Sequence, residues 1–260
     1  MTVLDAIPEA AYHSDLDTLS VSGMKVLLRN PARFAYERTH KRPATDVMDI
    51  GSVVHEMLLH GADGRIRVCD AYDWRKPAVR AQRDEWRSEG LIAIHRGQLR
   101  EAARIRQGAM SDPYVADVLS AGKPEQSMYW TDPQTGVPLR GRVDWLRDDA
   151  IVDVKTTAAG GTDTTALERT AASMDWPMQA AQYSDGHEVI TGQRLPFIFL
   201  VIEREPPYLA RALQPSAADL EAGRERVQKA LEAYVHYETH GYPAGITGIE
   251  PLPVAPWYGR

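Results

Sequence analysis

The sequence predicts one mixed α/β domain. It begins with a helical N-terminal part, followed by a central sheet of roughly four or five strands, a crossover helix and a long outer helix. Three observations predict it. Up to about residue 120 the chain is dominated by charged amphipathic stretches that carry helix start and stop signals. From Pro124 onward, short β-branched and aromatic runs alternate with strong turn punctuation. Finally, "SAADLEAGRERVQKALEAYVHYETHG" reads as a long, well-formed last helix. With 260 residues, 43% of them hydrophobic, the chain can bury a full core. The reading is a single domain over 1–260, with helices over about 18–120 and the sheet with its helices over about 121–240.

Element by element, Ser20 or Ser22 can cap a helix over "GMKVLLRN", and Asn30-Pro31 stops it and starts "PARFAYERTHKR". "DIGSVVHEMLLHG" follows, with Val54, Leu58 and Leu59 on an apolar face and Gly61 at the expected helix end. Residues 62–76 read as irregular. "AVRAQRDEWRSEG" and "RGQLREAARIRQGAM" read as charged, solvent-facing helices, and Asp112-Pro113 opens a short one. The strands "EQSMYW" and "VPLRGRVDWL" flank the turn "TDPQTG", and "AIVDVKTT" follows a very short link. A helix through "MQAAQYSDGHEVI" precedes the apolar run "FIFLVIE", and Pro206-Pro207 leads to "YLARAL". No internal repeat, low-complexity tract or clean linker divides the chain.

Composition excludes more than it selects. No run approaches 18 apolar residues, so no membrane-spanning helix is expected. The start "MTVLDAIPEAAYHSD" lacks a basic stretch followed by an apolar one and does not read as a signal peptide. A single cysteine, Cys69, excludes a disulfide framework and a four-thiolate iron–sulfur cluster. A cytoplasmic location is the default. The net charge of −6 argues mildly against nucleic acid, although a local basic groove and bound cations can outweigh it.

The stretch "GRVDWLRDDAIVDVKTT", residues 141–157, places Asp144, Asp153 and Lys155 on strands that otherwise read apolar. With Asp148-Asp149 as a two-residue turn, Arg147 faces Ala150 and, counting outward, Asp144 faces Asp153. Facing Cβ atoms lie roughly 4.5–5.5 Å apart, where two carboxylates repel. Asp153 and Lys155 share a face by the period of two. Two readings follow. One is a solvated strand face on which Lys155 pairs with an aspartate. The other is a cation site, since Mg²⁺ takes carboxylate oxygens and keeps several waters.

This acidic pair with a lysine two residues on resembles the core of the PD-(D/E)XK nuclease superfamily, whose motif is Asp, a spacer, then Asp or Glu-x-Lys. The match is loose by itself. "IGSVVHEMLLHG" looks like the upstream helix of the RecB-type branch, where a histidine joins the metal shell, and His55 fills that place. "MQAAQYSDGHE" looks like its downstream helix, with Gln179 and Tyr183 four apart on one face. "LSVSGMKVLLRNPARFAYE" and "PEQSMYWTDPQTGVPLRGRVD" are similar to stretches of RecE-type (exonuclease VIII) phage and prophage exonucleases. The resemblance runs from about residue 18 to about 240, in order. Two departures stand out. Val143 replaces the proline before the first aspartate, and the four-cysteine cluster of some RecB-type relatives is absent.

The resemblance implies a restriction-endonuclease-like core, a mixed central β-sheet flanked by helices with a helical N-terminal portion. It implies Mg²⁺, with Mn²⁺ as a substitute, held by Asp144, Asp153, His55 and the carbonyl of Val154. Lys155 at its ordinary pKa near 10.4 is protonated, so it reads as a charge that orients water and stabilises the transition state rather than as a base. Glu125 is implied to support the metal or the DNA end, and Gln179 and Tyr183 to contact a phosphate or orient Lys155. Alternation sets Arg140 and Arg142 beside Asp144 for phosphate contact, although exposed strand arginines are common. Lys25, Arg29, Arg33 and Arg38 read as solvated, with a DNA path as the alternative. The implied activity is a 5′ to 3′ exonuclease on linear double-stranded DNA, leaving a 3′ strand for a RecT-like single-strand annealing protein. It would work as a ring-shaped trimer or tetramer in a bacterial or phage-infected cell. A PD-(D/E)XK endonuclease or single-strand nuclease, and a non-catalytic DNA-end-binding protein, stay open beside it.

Overall fold

The structure, a computed structural model, describes residues 3–5, 7, 9–40, 50–61 and 64–245. The sheet around which these residues are built has seven strands, more than the four or five expected. Its main path is β1 (Val3–Asp5), β5 (Lys123–Thr131), β6 (Pro138–Leu146), β7 (Ile151–Thr157), β8 (Phe197–Glu203) and β9 (Ala210–Leu213). The two-residue β2 (Leu19–Ser20) pairs in parallel with the start of β6. The sheet is mixed. β7 and β8 run parallel, linked through α8 (Thr164–Ser173) and α9 (Trp176–Thr191), while the β5–β6, β6–β7 and β8–β9 pairs are antiparallel.

The edge of β6 is divided. Leu139 and Arg140 pair with β2 at one end, and Trp145 and Leu146 pair with Val152 and Ile151 at the other. Between them β7 leaves β6, and the gap lies over Gly141–Asp144. The hairpin register matches the expectation, since Arg147 N–H donates to Ala150 O at 2.9 Å. Counting outward from there sets Asp144 against Asp153.

Helices cover both faces. One apolar cluster joins Met24 and Leu27 of α2 (Val21–Arg29) to Met178 and Ala180 of α9 and Leu231 of α10 (Ala217–His240). The other joins Val53, Val54 and Leu58 of α4 (Ile50–Leu59) to Ile105 of α6 (Arg96–Met110), Val152 and Val154 of β7, and Leu200 of β8. The apolar periodicity of these helices is what puts their faces on the sheet. Asn30 ends α2 and caps α3 (Pro31–Thr39), its side chain accepting from Arg33 N–H. The predicted continuation into Lys41 and Arg42 lies outside the described residues.

A short strand corrects the irregular reading of 62–76, and a second lies between the two charged helices that follow. β3 (Ile66–Cys69) and β4 (Ile92–His95) form a separate parallel pair, joined by α5 (Pro77–Ser88). His95 then caps α6, its ring nitrogen accepting from Gly97 and Gln98. α6 is also less solvent-facing than its charge suggests, because Ala102, Ile105 and Ala109 are buried. Asp112 caps α7 (Pro113–Val118) as expected. No helix among the described residues is long and apolar enough to cross a membrane.

Candidate active site

The divided edge of β6 is where the charged residues meet. As β7 peels away, the next ladder bond is replaced by a side chain: Val154 N–H donates to Asp144 Oδ2 at 2.8 Å. The same oxygen lies 3.0 Å from His55 Nε2 on α4. α4 reaches this point because Val53, Val54 and Leu58 bury beside Val152 and Val154, which leaves His55 on the flank toward Asp144.

Asp153 faces α9 instead. Its Oδ1 accepts from Gln179 Nε2 at 2.6 Å, and its Oδ2 lies 2.6 Å from Lys155 Nζ. Lys155 in turn donates to Gln179 Oε1 at 3.3 Å. Gln179 therefore ties the aspartate to the lysine, which answers why α9 carries an amide there. Tyr183, one turn on, is buried against β6, where a Cβ on Gly141 would sit 2.8 Å from its ring. Gly141 is what lets α9 approach.

The charges hold one another. Burial would raise the Asp144 carboxyl, but the His55 charge and hydrogen bond, Lys155 and the Val154 N–H outweigh it and keep it low. Burial pushes Asp153 up, Lys155 opposes this, and the charge of Asp144 adds to the rise. For His55, burial favours the neutral ring, and Asp144 overrides it so that the pKa rises. Lys155 follows the same pattern: burial works against its ammonium, while Asp153 and Asp144 hold it charged into the alkaline range. Burial drives the Tyr183 phenol well up, so it stays protonated. The two carboxylates do not simply repel as register alone suggests, because each has a protein cation of its own.

Glu125 lies across β5 from Asp144, between the pairs Pro124–Trp145 and Gln126–Val143. Its backbone has φ of 46°, a left-handed conformation that costs a non-glycine residue roughly 1–3 kcal/mol. Its carboxylate stands 3.6 Å from His60 Nε2 and 3.9 Å from both Arg65 and Arg142. Beside it, buried Glu56 accepts from Arg65 N–H at 2.8 Å and from the Arg65 guanidinium at 2.9 Å. A Cβ on Gly64 would lie 2.6 Å from Glu56 Oε1, so a larger residue there would require the carboxylate to shift. Among the described residues, Glu56, His60 and Glu125 have ligand atoms within 4.8 Å of one another. Their sequence signal was present, since Glu56 and His60 are four apart at the end of α4, but nothing in the sequence brought Glu125 to them.

The two strand arginines are engaged elsewhere. Arg140 donates to Thr18 O and Oγ1 at 2.5 and 2.8 Å, and Arg142 to Ser127 Oγ at 3.1 Å and Ile7 O at 2.6 Å. Both stack over Tyr12, at 5.3 and 4.3 Å from its centroid. They tie α1 (Glu9–Ser14) and β2 to the sheet. Lys25, read as solvated, instead donates to Met174 O at 2.6 Å, beside the start of α9.

The donor types suit a divalent cation, although among the described residues the ligand atoms that all lie within 4.8 Å of one another are those of Glu56, His60 and Glu125. Asp144, Asp153 and His55 supply hard oxygen and imidazole ligands. Asp153 Oδ2 is buried beside the Lys155 ammonium and accepts no well-directed hydrogen bond.

Comparison with known proteins agrees with this architecture. No curated protein matches the chain. The crystal structure of a proposed exonuclease from Eubacterium rectale is similar over 96% of each chain, with a TM-score of 0.67 at 15% identity. That likeness shows the fold. An alkaline exonuclease from Laribacter hongkongensis overlaps 90% of this chain and 97% of its own at 13% identity, with a TM-score of 0.32 too low to argue from. The family model of a PDDEXK-like domain of unknown function (DUF3799) matches residues 20–245. The chain belongs to this PDDEXK-like family, and so to the fold of the PD-(D/E)XK nucleases.

Proposed function

We propose that the protein is a divalent-metal-dependent deoxyribonuclease, an exonuclease that digests one strand of linear duplex DNA from its 5′ end. The observation that carries the chemistry is the set Asp144–His55 and Asp153–Gln179–Lys155, gathered where β7 leaves β6. Asp144, Asp153, His55 and the Val154 carbonyl would hold Mg²⁺ or Mn²⁺. Such an ion, when bound, lowers the pKa of a bound water and offsets charge on the phosphate.

The chain's own groups supply the rest. Lys155, held charged by its aspartates, is a fixed donor to an oxygen that gains negative charge during phosphodiester cleavage. Gln179 fixes Lys155 and Asp153 relative to each other, so neither has to reorganise at the moment of reaction. Tyr183 remains a neutral phenol. Glu125, held in a strained conformation beside the site, supports it from the β5 side.

Direction, assembly and partner rest on the resemblance to RecE-type exonucleases. On that reading a ring-shaped trimer or tetramer encloses double-stranded DNA, and the 3′ strand passes to a RecT-like annealing protein. Enclosure also explains how a chain of net charge −6 holds DNA, since topology then adds to charge. The test is a time course on linear duplex labelled at the 5′ or the 3′ end, with relaxed closed circles alongside. Mononucleotides from the 5′-ended strand and intact circles are expected. Rapid cutting of circles would favour an endonuclease. DNA-end binding without cleavage in Mg²⁺ or Mn²⁺ would favour the non-catalytic alternative.

A further inference from the structure

We propose that Lys25 is a substrate-contacting residue whose ammonium binds a backbone phosphate of the nucleic acid beside the one being cleaved. The proposal deepens the nuclease reading and rests on it.

Lys25 lies on α2 between buried Met24 and Leu27, which anchor the helix in the core. This sets its half-buried side chain over the turn between α8 and α9. There it donates to Met174 O at 2.6 Å, and Arg29, one helical turn on, donates to Ser173 O at 3.0 Å. Asp175 follows in the left-handed region at φ 52°, its carboxylate held by Arg226 at 2.6 Å. Asp175 O accepts from Gln179 N–H at 3.3 Å, so this turn launches the segment that carries Gln179 to Asp153 and Lys155. Lys25 thus holds the turn from which the helix carrying the site's central amide starts.

The charge balance there is lopsided. Burial first, and then the like charge of Lys155, pull the Lys25 ammonium down to about 8, although Asp175 and Asp153 act to raise it. The strongest charge acting on Lys25 is therefore the site's own lysine. Asp153 is already shared between Lys155 and Gln179, and Asp175 is taken by Arg226. Among the described residues, the hydrogen-bond partner of Lys25 is a neutral carbonyl. Two ammonium groups that repel each other, with their carboxylates already engaged, favour an anion between them. A phosphodiester spanning them would relieve the repulsion and supply a charged acceptor in place of Met174 O. A purely structural role, capping the last carbonyls of α8 as Arg29 also does, accounts for the bond to Met174 O but not for the like charge of Lys155 beside it.

The two roles separate in the salt dependence of binding. DNA affinity in Ca²⁺ would be measured from 50 to 200 mM salt for the full chain, Lys25→Gln and Lys25→Arg, with melting temperatures to confirm folding. Glutamine keeps a donor toward Met174 O and loses the charge. One phosphate contact contributes about 0.9 to the slope of log affinity against log salt. The slope for Lys25→Gln should therefore be shallower by about 0.9, a change worth about 3.5-fold in affinity across that fourfold salt range. Lys25→Arg should keep the wild-type slope. An unchanged slope and affinity in a folded Lys25→Gln overturns the proposal while leaving the nuclease reading intact. So does an equal loss in the glutamine and arginine variants, which would assign Lys25 to holding the turn. Failure of the wild-type chain itself to bind DNA would instead strike the nuclease reading.

Discussion

Replacing Gln179 by leucine tests whether one amide organises the site. The side chain donates to Asp153 at 2.6 Å and accepts from Lys155 at 3.3 Å. Hydrogen bonds to charged groups contribute about 1.5–3 kcal/mol each. The short bond to buried Asp153 should count in full, and the longer one to the more accessible lysine for less. Leucine returns roughly 1 kcal/mol through apolar burial, so the net loss should be about 2–3 kcal/mol. At about 2–4 °C per kcal/mol for a chain of this size, melting should fall by roughly 4–12 °C. Turnover should fall by up to about 100-fold, because Lys155 and Asp153 lose their mutual alignment. The assay is calorimetric melting in chelator together with single-turnover cleavage. A control lies on the same helix: Gln182 is buried, and neither amide atom has a partner among the described residues. Gln182→Leu should be neutral or stabilising. Melting of Gln179→Leu within about 2 °C of wild type, with turnover unchanged, would show that the amide does not organise the site.

Three more predictions follow from the same charges. Lys155→Ala should lose about 10²–10³ in turnover yet keep DNA binding in Ca²⁺, and joint loss of both in a binding titration would assign Lys155 to affinity instead. The raised pKa of His55 means that its pairing with Asp144 stabilises the metal-free fold fully below the ordinary histidine value of 6.5. That contribution disappears as pH rises through the folded value, so a pH series of melting temperatures should fall in this window, and His55→Gln should flatten it. Cation binding requires the neutral imidazole, so a titration of Mn²⁺ should show affinity dropping on the acid side, more steeply in wild type than in His55→Gln.

The hairpin was legible because its register depends on local rules: a two-residue turn and a period of two set Asp144 against Asp153 and Lys155 beside it. His55, Gln179 and Tyr183 were legible only as positions in a family pattern. What was not legible is where each cation goes. Alternation places Arg140 and Arg142 near Asp144, but it does not show that Tyr12, Thr18 and Ile7 fold back to engage them. Lys25 looked like one exposed charge among several, because its partner Met174 O is 149 positions away along the chain. β3 and β4 were missed for a related reason: each is four residues long, and their parallel pairing joins segments separated by a whole helix.

The most direct test of this reaction centre compares cleavage of end-labelled linear duplex by the wild-type chain, Asp144→Asn and Asp153→Asn in Mg²⁺ and Mn²⁺, with melting followed in parallel. Divalent-dependent degradation by wild type and none by either variant is expected, while both variants melt as folded proteins. Near-full activity in either aspartate variant, or wild-type cleavage that survives chelation, would contradict the claim that this cluster is the reaction centre.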